Sequence, residues 1–306
     1  MSLGCRTKAL AAVCCAVLAP VGAAAQDPPF APPDPAARVV FADGAWKVVD
    51  AACPALPADT GLRQRIVDVA AEEWARFGYQ VEEIQQTGLS VVARPERGSI
   101  IPQSLNRVRP GITRRVLRLG RMEDSQRIAP AIGGYWAATP DSAGIDIQNR
   151  LLKGFEDNGW AVAWSAAFVS YVMCASGIAD LDQFARNEGH WVYVDQAIAA
   201  ADGTAPRAIY RARDPDLGLP KAGDLVCLDR GGNGLESVDD KRRKPGEMPL
   251  HCDIVVKVDR KGGMVAMIGG NVVQSVTMSL VNIQPAGHGK PARLQRDTDI
   301  KGGRGA

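Results

Sequence analysis

The residues with the most chemistry to offer in this chain are one serine, two of its three histidines and an asparagine. Ser165 opens a small-residue, apolar stretch, Ser165 to Ser176. That stretch reads as a helix hydrophobic nearly all round, and such helices are buried. A serine at a helix N-terminus sees unpaired backbone N–H groups and the positive end of the helix dipole. This setting favours developing negative charge, so the N–H groups of Ser165 and Ala166 form the expected oxyanion site. A serine nucleophile also needs a base within hydrogen-bond reach. His251, at the head of an apolar strand, is the first candidate, and His190, in Gly-His-Trp-Val-Tyr, is the second. A base in turn needs a partner that fixes its tautomer. Asn271, after Gly269 and Gly270, is the expected partner. Asp253 lies two residues beyond His251, hence on the same strand face, and is a weaker one. Each of these residues also has a plainer account. Ser165 is a good N-cap, Asn271 a common turn residue, and a histidine can simply pack or cap. Trp160, Trp164 and Trp191 could wall a groove, although core packing explains them better.

The elements that must carry these residues follow from pattern. Residues 1–25 hold Arg6 and Lys8, an apolar run from Ala9 to Val21 and Ala23-Ala24-Ala25, the pattern of a secretory signal peptide. Residues 26–58 are Pro-rich and read as a linker, with a short strand or hairpin within Val39 to Val49. A helix is expected from Leu62 to Phe77, where Ile66, Val69, Ala70, Trp74 and Phe77 recur at helical spacing, and Gly78 can end it. Leu89 to Ala93 reads as a strand. Six arginines between Arg107 and Arg121 read as a solvated helix face rather than a cationic stripe. A short helix or turn is expected over Asp146 to Asn158, and a further helix over Trp191 to Ala200. Strands are expected at Asp224 to Leu228, Asp253 to Val258 and Met264 to Ile268, the last two joined by a Gly262-Gly263 hairpin turn. Residues 286–306 read as a polar tail containing His288, to which no role is assigned. Helices first and antiparallel strands later predict an α+β fold, with one domain over residues 59–285.

Three segments in this order carry a family resemblance: Gly159-Trp160-Ala161-Val162-Ala163-Trp164-Ser165-Ala166-Ala167-Phe168-Val169-Ser170; Pro220-Lys221-Ala222-Gly223-Asp224-Leu225-Val226 followed by His251-Cys252-Asp253-Ile254-Val255-Val256; and Ile268-Gly269-Gly270-Asn271-Val272. The order resembles the papain-like cell-wall hydrolases, the CHAP-type amidases and peptidases. It is most similar to a CHAP-related bacterial family of unknown function whose members carry WSAAF with serine, a GGN turn and an upstream helix with Glu73, Trp74, Phe77 and Gly78. The resemblance runs from about Leu62 to Ser279. It implies a papain-like core, with N-terminal helices packed on a small antiparallel sheet, and a Ser165–His251–Asn271 site. It also implies an amide or peptide substrate such as peptidoglycan. Two departures weigh against activity. The usual cysteine is Ser165, and a hydroxyl ionises far less readily than a thiol. The acidic residue often found two before the asparagine is Gly269. A catalytically inactive relative that binds wall fragments or an envelope partner is therefore the alternative expectation.

Composition limits the other classes. Removing Arg6 and Lys8 with the leader takes the formal charge from +2 to about 0, which argues against a general nucleic-acid binder. Cys53, Cys174, Cys227 and Cys252 remain, enough for two disulfides in an oxidising compartment, with the pairing open. Cys174 lies nine residues along the helix from Ser165, about 180° around, so it cannot replace the serine. Cys252 points to the opposite strand face from His251. No CxxC spacing joins these cysteines, so no metal and no cofactor is expected. No later stretch is apolar and long enough to span a membrane. The expectation is an exported protein, periplasmic or secreted, with its protein partner unidentified.

Overall fold

The computed structural model describes residues 30–56, 61–85, 113–153, 160–230, 232–287 and 289–295. The leader at residues 1–25, the Leu89–Ala93 strand, Arg107, Arg109 and His288 lie outside them. The core of the fold is an open mixed sheet with helices packed on it.

Three long strands form the sheet's centre: β6 (Leu250–Asp259), β7 (Met264–Val272) and β8 (Ser275–Gln284). They run antiparallel, β6 to β7 and β7 to β8. Gly263, with φ +69°, supplies the left-handed residue of the β6–β7 turn. β5 (Leu225–Asp229) pairs antiparallel with the outer side of β6. On the far side, β3 (Gln80–Gln85) lies parallel to β8 and carries β4 (Thr113–Arg118) at the edge. A short strand, β9 (Arg293–Leu294), also pairs with β8. The sheet is thus larger than expected and not wholly antiparallel. β8 was hidden by its alternating Ser and Thr residues, of which Ser275, Thr277 and Ser279 are buried. Their side chains bond within the protein. Gln80 Nε2, for example, donates to Thr277 Oγ1 at 2.8 Å.

Two regions expected to be loose are packed instead. Within the described part of residues 26–58, the hairpin expected between Val39 and Val49 forms, β1 (Val39–Ala42) pairing with β2 (Ala45–Val48), and the stretch before it, expected to be linker, is ordered too, with Pro35–Arg38 in a 3-10 helix. Arg38, Val39 and Trp46 are buried there, and Cys53 is bonded to Cys174. In the expected tail, Leu294 is buried against a cluster with Leu219, Val255, Val265, Met267 and Val281. In the described part of the arginine-rich segment, where a helix face was expected, Arg114, Arg115 and Arg118 lie instead on edge strand β4. Charged side chains at a sheet edge discourage pairing with other chains.

The helices are α1 (Leu62–Arg76), α2 (Ala129–Trp136), α3 (Ala143–Leu151), α4 (Ser165–Ala175), α5 (His190–Ala201) and α6 (Val238–Arg243). α1 ends as expected at Gly78, φ +83°. In α4, every residue from Ala166 to Ala175 is buried. This helix packs on β6 and β7, against α1 and against α2. Gly270 permits that approach, because a Cβ there would overlap Phe168 of α4. The Cys53–Cys174 disulfide ties down the C-terminal end of α4. Among the described residues, no helix is long and apolar enough to cross a membrane.

Candidate functional site

Two helix N-termini meet at the site. Ser165 is the first residue of α4 and His190 the first of α5. Ser165 Oγ lies 2.7 Å from His190 Nε2, a hydrogen bond in which the hydroxyl donates to a neutral ring. The other ring nitrogen, Nδ1, then carries the proton and donates to the Tyr193 hydroxyl, one helical turn along α5. Tyr193 is held in turn by stacking on Phe184, with ring centres 4.8 Å apart.

The approach of the two helices is pinned by a small polar clamp. Ser170, buried on α4, donates its hydroxyl to Asn187 O at 2.9 Å and accepts from Asn187 N at 3.0 Å. Asn187 Oδ1 accepts from Gly189 N, the residue before His190. Arg186 donates to Ala138 O, Ile178 O and Ala179 O, so the chain entering α5 is fixed from several sides. At the far side of α5, buried Lys241 bonds Asp195 at 2.5 Å and docks the α6 loop.

The second histidine stands beside this pair without bonding to it. His251 Nε2 is 2.7 Å from Asp253 Oδ1, and both side chains are buried. The rings of His190 and His251 are 5.2 Å apart and nearly edge to face. The Cys227–Cys252 disulfide joins directly opposed residues of β5 and β6 next to His251.

Burial dominates the electrostatics. It holds His190 well below the usual imidazole range, and the nearby His251 and Arg230 push the same way. His190 is therefore neutral, as a proton acceptor must be, well into mildly acidic solution. Tyr193 is pushed up, first by burial and then by the Asp253 carboxylate. It stays a neutral phenol.

The sequence expectations are met unevenly. Ser165 does open a buried helix, and the first-turn N–H groups at Ser165 and Ala166 have no intrahelical acceptor. His190, expected second, stands at Ser165, while His251 does not bond to it. Asp253, the weaker expected orienter, is the residue at His251. Asn271 bonds to neither histidine. It adopts φ +55° at a break in the β7–β8 register, where strand alternation no longer predicts side-chain direction. Gly269 has a positive reason: a Cβ there would overlap Asp253 Oδ1. The carboxylate reaches the site from β6, and the glycine on β7 makes room for it. Trp164 is a core residue, fully buried, with its Nε1 donating to Glu123 Oε2 at 2.7 Å. Tyr193 was missed altogether. Its only signal was its place three residues after His190 on a predicted helix.

A family model described as an uncharacterized protein conserved in bacteria, DUF2272, matches residues 124–297, more than half of the chain. The chain belongs to the DUF2272 family. Comparison with curated proteins and with solved structures finds no match. The DUF2272 match takes in Ser165, His190, Tyr193, His251, Asp253 and Gly269. It leaves out α1, β3 and β4. Among the described residues, no group of three or more His, Cys, Asp or Glu side chains is arranged to hold a metal ion.

Proposed function

We propose that the protein is a serine-dependent hydrolase of amide or peptide bonds in the bacterial cell envelope, exported and built on a papain-like core. The observation that carries this is the 2.7 Å bond from Ser165 Oγ to His190 Nε2 at the start of a buried helix. In this reading Ser165 Oγ attacks the substrate carbonyl and its proton passes to His190 Nε2. The oxyanion is met by the N–H groups of Ser165 and Ala166. Tyr193 keeps the proton of His190 on Nδ1, leaving Nε2 free to accept. The substrate class rests on the resemblance to CHAP-type wall hydrolases, as does the likeness of a nucleophile helix packed against a strand bearing a histidine.

A second reading, a wall-binding module without activity, is favoured by one feature. His190 is oriented by a phenol and not by a carboxylate, so less stabilisation awaits an imidazolium there. A fluorophosphonate probe separates the two. Activated Ser165 forms an adduct, seen by mass spectrometry of its peptide, and His190→Gln slows it by about 10²-fold or more. Absence of any adduct between about pH 5 and 9 would overturn the hydrolase reading and count for the binding module instead. Release of new amino groups from purified cell walls then tests the substrate class.

A further inference from the structure

The two disulfides among the described residues differ in what a thiol can reach. In Cys53–Cys174, Cys174 is fully buried and Cys53 half-buried. In Cys227–Cys252, Cys252 is fully buried but Cys227 is exposed, on the edge strand β5. Thiol–disulfide exchange needs access to a sulfur, and labile bridges are drawn from the exposed ones. The exposed bridge also closes the part of the chain that grips the helix bearing His190. Cys227 and Cys252 are 25 residues apart, and α6 lies between them. Buried Lys241 of α6 bonds Asp195 of α5 at 2.5 Å, and Gly246 N donates to the same carboxylate at 2.8 Å. Arg242 bonds Asp202, just past the end of α5, at 2.8 Å. Both ends of this gripping segment are joined at one point, where Cys227 and Cys252 face each other across the β5–β6 ladder. Among the described residues β5 pairs with no other strand, so the ladder alone holds it to the sheet once the bridge opens. The site is close by: His251 is the neighbour of Cys252, and its ring packs 5.2 Å from that of His190.

We infer that the Cys227–Cys252 bridge is a redox-sensitive control on Ser165, opened by a dithiol. This rests on the hydrolase reading above. One thiolate of the dithiol attacks Cys227 Sγ. A mixed disulfide forms there, and the Cys227–Cys252 bond breaks with its electron pair leaving on Cys252 Sγ. The second thiolate then attacks its partner sulfur in the mixed disulfide and releases Cys227. The dithiol gives up two electrons and becomes an internal disulfide, and its two protons end on Cys227 and Cys252. With the bridge open, the two ends of the α6 connection are no longer pinned together. Its grip on Asp195 and Asp202 slackens, α5 shifts, and the 2.7 Å bond between Ser165 and His190 is lost. A two-electron oxidant, such as another disulfide, closes the bridge and restores the pair. The oxidised protein is the reactive one. Cys53–Cys174, at the far end of α4 and less open to a thiol, keeps the rest of the fold together meanwhile.

The test is a titration of the unaltered protein with dithiothreitol. Free thiols are alkylated and located by mass spectrometry, folding is followed by circular dichroism, and the rate of fluorophosphonate adduct formation at Ser165 is measured on the same samples. The expected result is that Cys227 and Cys252 become alkylated before Cys53 and Cys174, with the fold retained. Ser165 modification falls by about 10²-fold at that step, as a misplacement of about 1 Å does, and recovers when oxidised glutathione closes the bridge. The paired variant Cys227→Ser with Cys252→Ser should react slowly at every dithiothreitol concentration. Should that variant not fold, the titration of the unaltered protein still decides. An unchanged Ser165 rate after the Cys227–Cys252 bridge has opened would overturn the control while leaving Ser165 and His190 intact. Opening of both bridges together, and only with unfolding, would overturn it too. No adduct at Ser165 in the fully oxidised protein would overturn the hydrolase reading, and this inference with it.

Discussion

Replacing Glu73 with glutamine should change how stability depends on pH. Glu73 sits on α1, fully buried. One carboxylate oxygen accepts from the Tyr135 hydroxyl at 2.5 Å and from Arg76 Nε at 3.0 Å. Burial outweighs these partners and pushes the carboxyl up to about 7. In the unfolded chain it returns to the ordinary value of 4.5. Below about pH 4.5 the carboxyl is neutral in both states and the folded state bears no penalty. As pH rises from about 4.5 to about 7, the unfolded chain ionises first, and stability falls. The full drop for a shift of this size is about 3 kcal/mol. Glu73→Gln keeps an acceptor for Tyr135 and removes the titration. It loses attraction to Arg76, which still has Asp34 at 3.0 Å, but that loss is a constant offset once the wild-type carboxyl is ionised. His190 titrates in both proteins and opposes the trend. With its folded pKa depressed, it adds stability as pH rises toward 6.5, so only the difference between the two proteins isolates Glu73. The assay is urea unfolding at half-unit pH steps. The difference curve should swing by about 3 kcal/mol in favour of the variant between about pH 4.5 and 7. Parallel curves would show that Glu73 is not held protonated by burial.

Three other outcomes are expected. Tyr193→Phe removes the acceptor at His190 Nδ1 and should slow Ser165 modification about tenfold, the equivalent of one hydrogen bond, while shifting the acid limb of its pH profile. Gly269→Ala should destabilise the fold by roughly 1–3 kcal/mol in urea unfolding, and by less in an Asp253→Ala background, where the carboxylate it would strike is gone. Opening the Cys53–Cys174 bridge by paired serine substitutions should cost about 5 kcal/mol because it closes a loop of 121 residues. The Cys227–Cys252 bridge spans 25 and should cost about 3.5 kcal/mol, both read from denaturant midpoints.

What could be read from residues alone was whatever strong periodicity announces. The buried helix α4, the helix α1 with its Gly78 stop and the Gly262-Gly263 hairpin all have patterns of apolar or glycine residues that local physics interprets directly. β8 escaped because its inward Ser and Thr residues look like a solvent face until Gln80 and Glu82 are seen bonding to Thr277 and Ser279. The same limit applied at the site. Strand alternation correctly put Asp253 on the face of His251. Which histidine reaches Ser165 depends on the Ser170–Asn187 clamp between two helices, a tertiary contact with no periodic trace. The glycine at 269 read as a lost acid because its partner lies on another strand.

The central claim is that His190, neutral through burial, activates Ser165. The most direct measurement is the rate of fluorophosphonate adduct formation at Ser165 as a function of pH, in the unaltered protein and in His190→Gln. The account predicts modification whose acid limb falls below the ordinary histidine value of 6.5, because the folded-state pKa of His190 is depressed, and a loss of about 10²-fold or more in the variant. Modification that proceeds equally without His190, or none at any pH, would contradict it.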